Sequence, residues 1–171
     1  DDERVKPTSA WTKKDFNSER GTEQFVALGF DKEAFFKPKP VGLLKHILDF
    51  ATREDDIILD SFAGSGTTAQ AVLELNQEDG GNRQFILVEM EDYADEITAE
   101  RARRRIEGVE DSEIEAYQTG TGGTFSYFTL GESIEMDAIL HGTSLPSYED
   151  LARYVFFTST GEEFNPANID Q

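Results

Sequence analysis

One stretch of this chain orders its residue types in a way that could do chemistry: Leu59-Asp60-Ser61-Phe62-Ala63-Gly64-Ser65-Gly66-Thr67-Thr68. An acid stands directly before a loop in which two glycines let the backbone approach a bound molecule closely. A helix beginning at Thr67 would turn its first, unpaired N–H groups toward the same loop. A second acid, Glu89, follows about twenty residues after the glycines. That is roughly where a nucleotide-binding βαβ unit places the carboxylate that accepts hydrogen bonds from ribose hydroxyls. The combination asks for an adenosine-like ligand.

Two cofactor classes fit. Gly64-Ser65-Gly66-Thr67-Thr68-Ala69 satisfies the G-x-G-x-x-G/A pattern of dinucleotide binding, which makes NAD one candidate. Asp60 weighs against it, because a carboxylate immediately before the loop repels a pyrophosphate. The same carboxylate attracts the ammonium group of an amino-acid moiety. S-adenosylmethionine carries such an ammonium and a sulfonium cation besides, so it is the favoured cofactor.

The elements that must hold these residues are legible in the hydropathy pattern. Ile57-Ile58-Leu59-Asp60 is a short continuous apolar run, as in a fully buried parallel strand, and Phe85-Ile86-Leu87-Val88-Glu89 is a second. Between them Thr67 to Asn76 predicts a helix with Ala69, Val72, Leu73 and Leu75 available for packing, ended by Glu78-Asp79-Gly80-Gly81-Asn82. Upstream, the prolines of Phe36-Lys37-Pro38-Lys39-Pro40 force extended backbone. Leu43, Leu44, Ile47, Leu48 and Ala51 then recur at helical spacing over about 41–53. Tyr93 to Glu107 predicts a charged helix with Ile97, Ala102 and Ile106 inward. Its Arg101, Arg103, Arg104 and Arg105 read as a salt-bridged solvent face rather than a nucleic-acid patch, with Glu100 pairing Arg103 and Arg104. Phe125 to Leu130 alternates like a further strand, and Tyr148 to Val155 reads as a short helix. The βαβα order predicts an α/β fold with a parallel sheet.

Composition bounds the rest. The 171 residues hold 35 acidic and 16 basic side chains, a net charge of −19. That balance argues against this stretch alone holding DNA or an anionic membrane. The acids are spread along the whole chain while Lys numbers only seven, a distribution resembling the surface of a protein from a high-salt, halophilic cytoplasm, the alternative being an acidic mesophilic domain whose basic partner surface lies elsewhere. The absence of cysteine excludes disulfide scaffolds, cysteine zinc sites and thiol catalysis, and two histidines leave little for a metal centre. No apolar run has the ~18 residues of a membrane span, and no signal-peptide pattern opens the chain. A cytoplasmic location follows as the expectation.

Asp60-Ser61-Phe62-Ala63-Gly64-Ser65-Gly66-Thr67-Thr68 resembles the S-adenosylmethionine motif of the amino-group DNA methyltransferases, D-P-F-x-G-S-G-T-T. Phe36 to Leu44 resembles the Lys-Pro segment that precedes it in the permuted, beta group. Asp79 to Glu89 and Glu96-Ile97-Thr98 are similar to the stretch that follows in modification (Mod) subunits of type III restriction-modification systems. Trp11, Phe125-Ser126-Tyr127-Phe128 and Leu151 to Thr158 extend the likeness over nearly the whole chain.

The resemblance implies a Rossmann-like methyltransferase sheet, incomplete here, as the C-terminal part of a permuted domain. It implies that Asp60 binds the methionine amino group and that Phe62, Ala63, Gly64, Ser65 and Gly66 line the cofactor. Lys39 and Pro40, with Thr67 and Thr68, would lie near its carboxylate end, Glu89 at the ribose and Met90 against the adenine. Ser61 replaces the commoner Pro. The family's catalytic tetrapeptide, (Asp/Asn/Ser)-Pro-Pro-aromatic, grips the target amino group and stacks the flipped base. This sequence has no Pro-Pro, and Asn165-Pro166-Ala167-Asn168 departs from the pattern at its last two positions and reads as a turn.

The implied function is therefore the cofactor-binding part of an adenine-specific, site-specific DNA methyltransferase, with no catalytic residue and no metal ligand in this stretch. DNA would be engaged through a preceding N-terminal part, expected because the chain opens on Asp1 rather than Met, and a type III restriction subunit is a further partner. The organisation expected is a loop-rich lead-in over 1–35, the cofactor-binding α/β part over 36–130 and an extension over 131–171. A non-enzymatic cofactor-binding or assembly module and an NAD-dependent oxidoreductase fragment are the alternatives.

Overall fold

The computed structural model describes residues 11–131, 141–142, 146–162 and 164–165. The chain divides into two compact units, Asp1–Tyr127 and Phe128–Gln171.

In the first unit, α1 (Ser18–Ala27) starts where the Asn17 side chain accepts the Glu19 N–H, an N-cap that satisfies one of the helix's orphan donors. α2 (Val41–Ala51) starts at Pro40, which has no N–H to leave unpaired and whose carbonyl accepts from Leu43. β1 (Ile57–Asp60) leads into α3 (Thr67–Asp79), which runs to Gly80 in the left-handed conformation and so is a turn longer than its apolar spacing predicts. β2 (Gln84–Leu87) pairs parallel to β1 with Ile57 opposite Gln84 and Asp60 opposite Leu87. The stretch read as one charged helix is three segments: a 3₁₀ turn at Asp92–Ala94, a π-helical turn at Asp95–Ala99, and α4 (Glu100–Glu107). The βαβα order and the parallel pair make the fold α/β.

Two apolar clusters organise the unit. Val41 and Leu48 of α2 pack with Ala71, Val72 and Leu75 of α3, over Ile58 and Phe85 of the sheet. Phe25, Leu28 and Phe30 pack with Ile97 and Tyr117, and the rings of Phe25 and Phe30 stack at 4.4 Å. The lead-in is thus less loop-rich than expected, because α1 and the segment after it supply core. Truncating a ring as buried as Phe25 would cost about 3–5 kcal/mol.

Four sequence readings are corrected. The strands are not fully buried: Ile58 and Phe85 face the helices, but Ile57 is 62% and Leu59 66% exposed on the other face. α2 and α3 cover one side of the pair only. Phe125 to Leu130 forms no strand; Phe125 and Tyr127 instead lie over the Arg103 guanidinium, at 5.7 and 5.9 Å. Of the four arginines, Arg103 and Arg104 pair with Glu100 as expected, whereas Arg101 and Arg105 are buried. In the second unit the helix runs over Tyr148–Thr160, well beyond Val155, capped by Ser147 and ended by left-handed Gly161. The Asn165-Pro166 turn falls partly outside the described residues. No helix among the described residues is long and apolar enough to cross a membrane.

Candidate functional site

Because β1 and β2 are parallel with Asp60 opposite Leu87, both strands end at one sheet edge. The ladder continues one step past them. Val88 N donates to the Asp60 carbonyl at 2.9 Å and Ala63 N to the Val88 carbonyl at 3.1 Å, which pins the 61–66 loop to the strand ends. The Asp60 carboxylate accepts the Phe62 N–H at 3.1 Å on one oxygen and the Thr68 hydroxyl at 2.5 Å on the other. Strand, loop and the first turn of α3 are thereby tied through one side chain. An ionised carboxylate offers about four lone-pair sites, so Asp60 keeps acceptor capacity for an ammonium.

Glu89 is engaged more heavily. One of its oxygens accepts the Gly64 N–H at 2.7 Å, and the other accepts the N–H groups of Met90 at 2.9 Å and Glu91 at 3.1 Å. Tyr93 stands beside it. Partial desolvation, then the charges of Glu89 and Glu91, push the Tyr93 phenol above its ordinary pKa.

The loop needs glycine at Gly66 for two reasons. Its φ is +75°, and a Cβ there would lie 2.6 Å from the Thr98 carbonyl oxygen. Thr98 belongs to the π-helical turn, and its hydroxyl donates to the Gly64 carbonyl at 2.5 Å. The irregular helix therefore closes over the loop, in keeping with the tendency of π segments to mark functional places.

The Lys39-Pro40 segment is brought in from the other side. It crosses α1 at Gly21, where a Cβ would lie 2.1 Å from the Pro38 carbonyl oxygen. Val41 N donates to the Gln24 side chain at 2.9 Å, and the Thr67 hydroxyl reaches the Lys39 carbonyl at 3.3 Å.

Beneath the loop lies Arg101, wholly shielded from solvent. Its Nη1 donates to the hydroxyls of Ser65 at 2.9 Å and Thr67 at 2.8 Å, and its Nε to the Gln70 side-chain oxygen at 2.8 Å. Burial pulls its pKa down to about 10, against upward pulls from Tyr117 and Glu74, which still leaves it charged at neutral pH.

The structure thus joins Lys39, Asp60, Phe62, Ala63, Gly64, Ser65, Thr67, Thr68 and Glu89 by hydrogen bonds, with Gly66 at the turn and Pro40 at the α2 cap. Phe62 and Met90, next to them in the chain, are 88% and 90% exposed. Sequence reasoning missed Gln24, Thr98 and Arg101. A signal existed for Arg101: it lies four residues after Ile97 and four before Arg105, the i, i+4 stripe of a buried helix face.

The chain is similar in sequence to known proteins. A family model described as DNA methylase matches residues 1–100. The chain is 46% identical over 81 residues to the type III restriction-modification enzyme StyLTI Mod subunit of Salmonella typhimurium strain LT2, 47% of this chain and 12% of that protein. It is 39% identical over 87 residues to the EcoPI Mod subunit of Escherichia phage P1, 51% of this chain and 13% of the relative. With the type II methyltransferase M.KpnI of Klebsiella pneumoniae it shares 40% identity over 86 residues, half of this chain and 20% of that protein. The matched stretch is a small part of each relative.

Proposed function

The chain belongs to the DNA methylase family, and from that premise we propose that it is the S-adenosylmethionine-binding part of a site-specific methyltransferase acting on the exocyclic amino group of adenine. The observation that carries the reading is the hydrogen-bonded meeting of Asp60, the glycine loop, the α3 N-terminus and Glu89 at one end of a parallel strand pair. It is the place where an open α/β sheet of Rossmann type binds its ligand. The relatives are named as Mod subunits and methyltransferases, which favours neither a nicotinamide enzyme nor a non-enzymatic module.

The residues present suit this cofactor. Asp60 has acceptor sites left for the methionine ammonium, and Gly66 lets the loop turn closely against Thr98, where a Cβ would clash. Lys39, Pro40, Thr67 and Thr68 stand together where the cofactor's carboxylate end would lie. Ala63 and Ser65 complete the loop wall, Glu89 would accept from the ribose, and Phe62 and Met90 would cover the adenosine. When bound, the cofactor supplies an electrophilic methyl on a sulfonium. The part of this chain is to bind, orient and shield it. The grip on the target base would come from a Pro-Pro-aromatic segment elsewhere in the methyltransferase.

DNA would be engaged by those other portions too, since the acidic surface here repels phosphates. A restriction subunit of a type III system is the fitting protein partner, and the cytoplasm the fitting location. The dispersed acids suit a halophilic host. Calorimetric titration with S-adenosylmethionine and, separately, NAD tests the reading. Binding of the first and not the second is expected; the reverse would refute it.

A further inference from the structure

We propose that Arg101 is a positioning residue for the cofactor loop, acting through Ser65 and Thr67; this rests on reading that loop as the S-adenosylmethionine site. Three arginines among the described residues are deeply buried, Arg83, Arg101 and Arg105. Arg83 pairs with Asp79 at 2.7 Å and Arg105 with Glu74 at 3.0 Å, each thereby offsetting the cost of a charge removed from water. Among the described residues Arg101 has no carboxylate in hydrogen-bond contact. Its Nη1 goes to Ser65 Oγ at 2.9 Å, Thr67 Oγ1 at 2.8 Å and the Ser65 carbonyl at 3.4 Å, its Nε goes to Gln70, and its Nη2 has no hydrogen-bond partner among the described residues. A charge kept at that cost and spent on two loop hydroxyls is poor design for stability alone.

The hydroxyls explain what is gained. Each has one proton to give, and a hydroxyl that accepts from the guanidinium is turned to donate onward. Ser65 and Thr67 are 3.2 Å apart, and Thr67 donates to the Lys39 carbonyl at 3.3 Å. One guanidinium thus fixes the direction of both hydroxyls and links α4, the glycine loop, the α3 N-terminus and the Lys-Pro segment in one continuous path. The three N–H groups of Nη1 and Nε, held in one plane, make these contacts; a lysine ammonium at the same place keeps the charge but not the fork.

The test compares Arg101→Lys with Arg83→Lys, the same change at another buried arginine whose partners are Thr52, Asn76 and Asp79, away from the loop. Amide hydrogen exchange over residues 61–68 and calorimetry with S-adenosylmethionine are read at a temperature where circular dichroism shows both variants folded. Arg101→Lys is expected to speed loop exchange and weaken cofactor binding at least tenfold, while Arg83→Lys, though it lowers the melting temperature, moves neither more than twofold. Wild-type loop exchange in Arg101→Lys, or equal damage from Arg83→Lys, would overturn the proposal. If Arg101→Lys does not fold, Ser65→Ala decides by the same loop exchange, being faster than wild type if the proposal holds and unchanged if it does not. Absence of cofactor binding by the wild-type chain would defeat the cofactor reading, while loop exchange would still decide the role of Arg101.

Discussion

The carboxylate of Glu89, two residues past the second strand, accepts the backbone N–H of Gly64 at 2.7 Å and so holds the loop that follows the first strand. The acid expected at a ribose is, in the structure, a clamp on the glycine turn.

Glu89→Gln is the sharpest probe of that arrangement. It keeps one acceptor oxygen but puts an NH₂ group in place of the other, so the Gly64 N–H on one side and the Met90 and Glu91 N–H groups on the other cannot all be accepted. Affinity for S-adenosylmethionine is expected to fall by roughly 1–3 kcal/mol, as it should for Asp60→Ala, each losing a charge-assisted hydrogen bond. Calorimetry giving wild-type affinity in both variants would remove the site assignment.

Gly66→Ala tests the closure of the π-helical turn over the loop. The new methyl would meet the Thr98 carbonyl oxygen in a left-handed backbone, so either the turn or the loop must move. A loss of about 1–3 kcal/mol in stability is expected in chemical denaturation, with cofactor binding weakened in parallel. Unchanged stability would mean the turn is not packed there.

Asp79 gives the fold a specific acid sensitivity. Burial works to raise its pKa, but the Gly81 N–H and the Arg83 guanidinium outweigh that and hold it below the ordinary carboxylate value. A carboxylate depressed in the folded state contributes stability in full above its unfolded pKa, near 4, and loses it as pH falls through the folded value. Asp79→Asn is expected to cost about 1 kcal/mol at pH 7 and to flatten the decline in melting temperature below pH 4. An unchanged acid limb would contradict this.

What the sequence disclosed was what is local. The 60–68 motif is contiguous, so its strand, turn and helix start could be read from glycines and an apolar run alone. Arg101 could not be singled out easily, because four arginines within five positions among acids look like a solvated face; only the stripe with Ile97 marks the buried pair. The open face at Ile57 and Leu59 was invisible for another reason. An apolar run says that a strand can be covered on both sides, and not which distant element covers it. Phe125 and Tyr127 misled because alternation is satisfied equally by a strand and by two rings flanking one guanidinium.

The charge yields a prediction about salt. At −19, like-charge repulsion acts across the whole surface and is screened within about 10 Å at 0.1 M salt. The melting temperature is expected to rise with KCl into the molar range. A flat or falling curve would remove the halophilic reading.

The last prediction concerns catalysis. The amino group of adenine is a poor nucleophile and is buried in the duplex. Methylating it requires extruding the base, stacking it and accepting hydrogen bonds from its amino group while the methyl donor is held in line. The tetrapeptide that does this in the amino-group methyltransferases needs Pro-Pro, and this sequence contains none. Its acidic surface also offers nothing to neutralise phosphates. The 171-residue chain is therefore expected to transfer no tritiated methyl group to any DNA, even with saturating S-adenosylmethionine. Joined to a segment that carries the tetrapeptide, in cis or as a second chain, it is expected to label adenine. Robust transfer by the chain alone would refute the division of labour proposed here, and failure of the joined protein would count against the adenine methyltransferase reading.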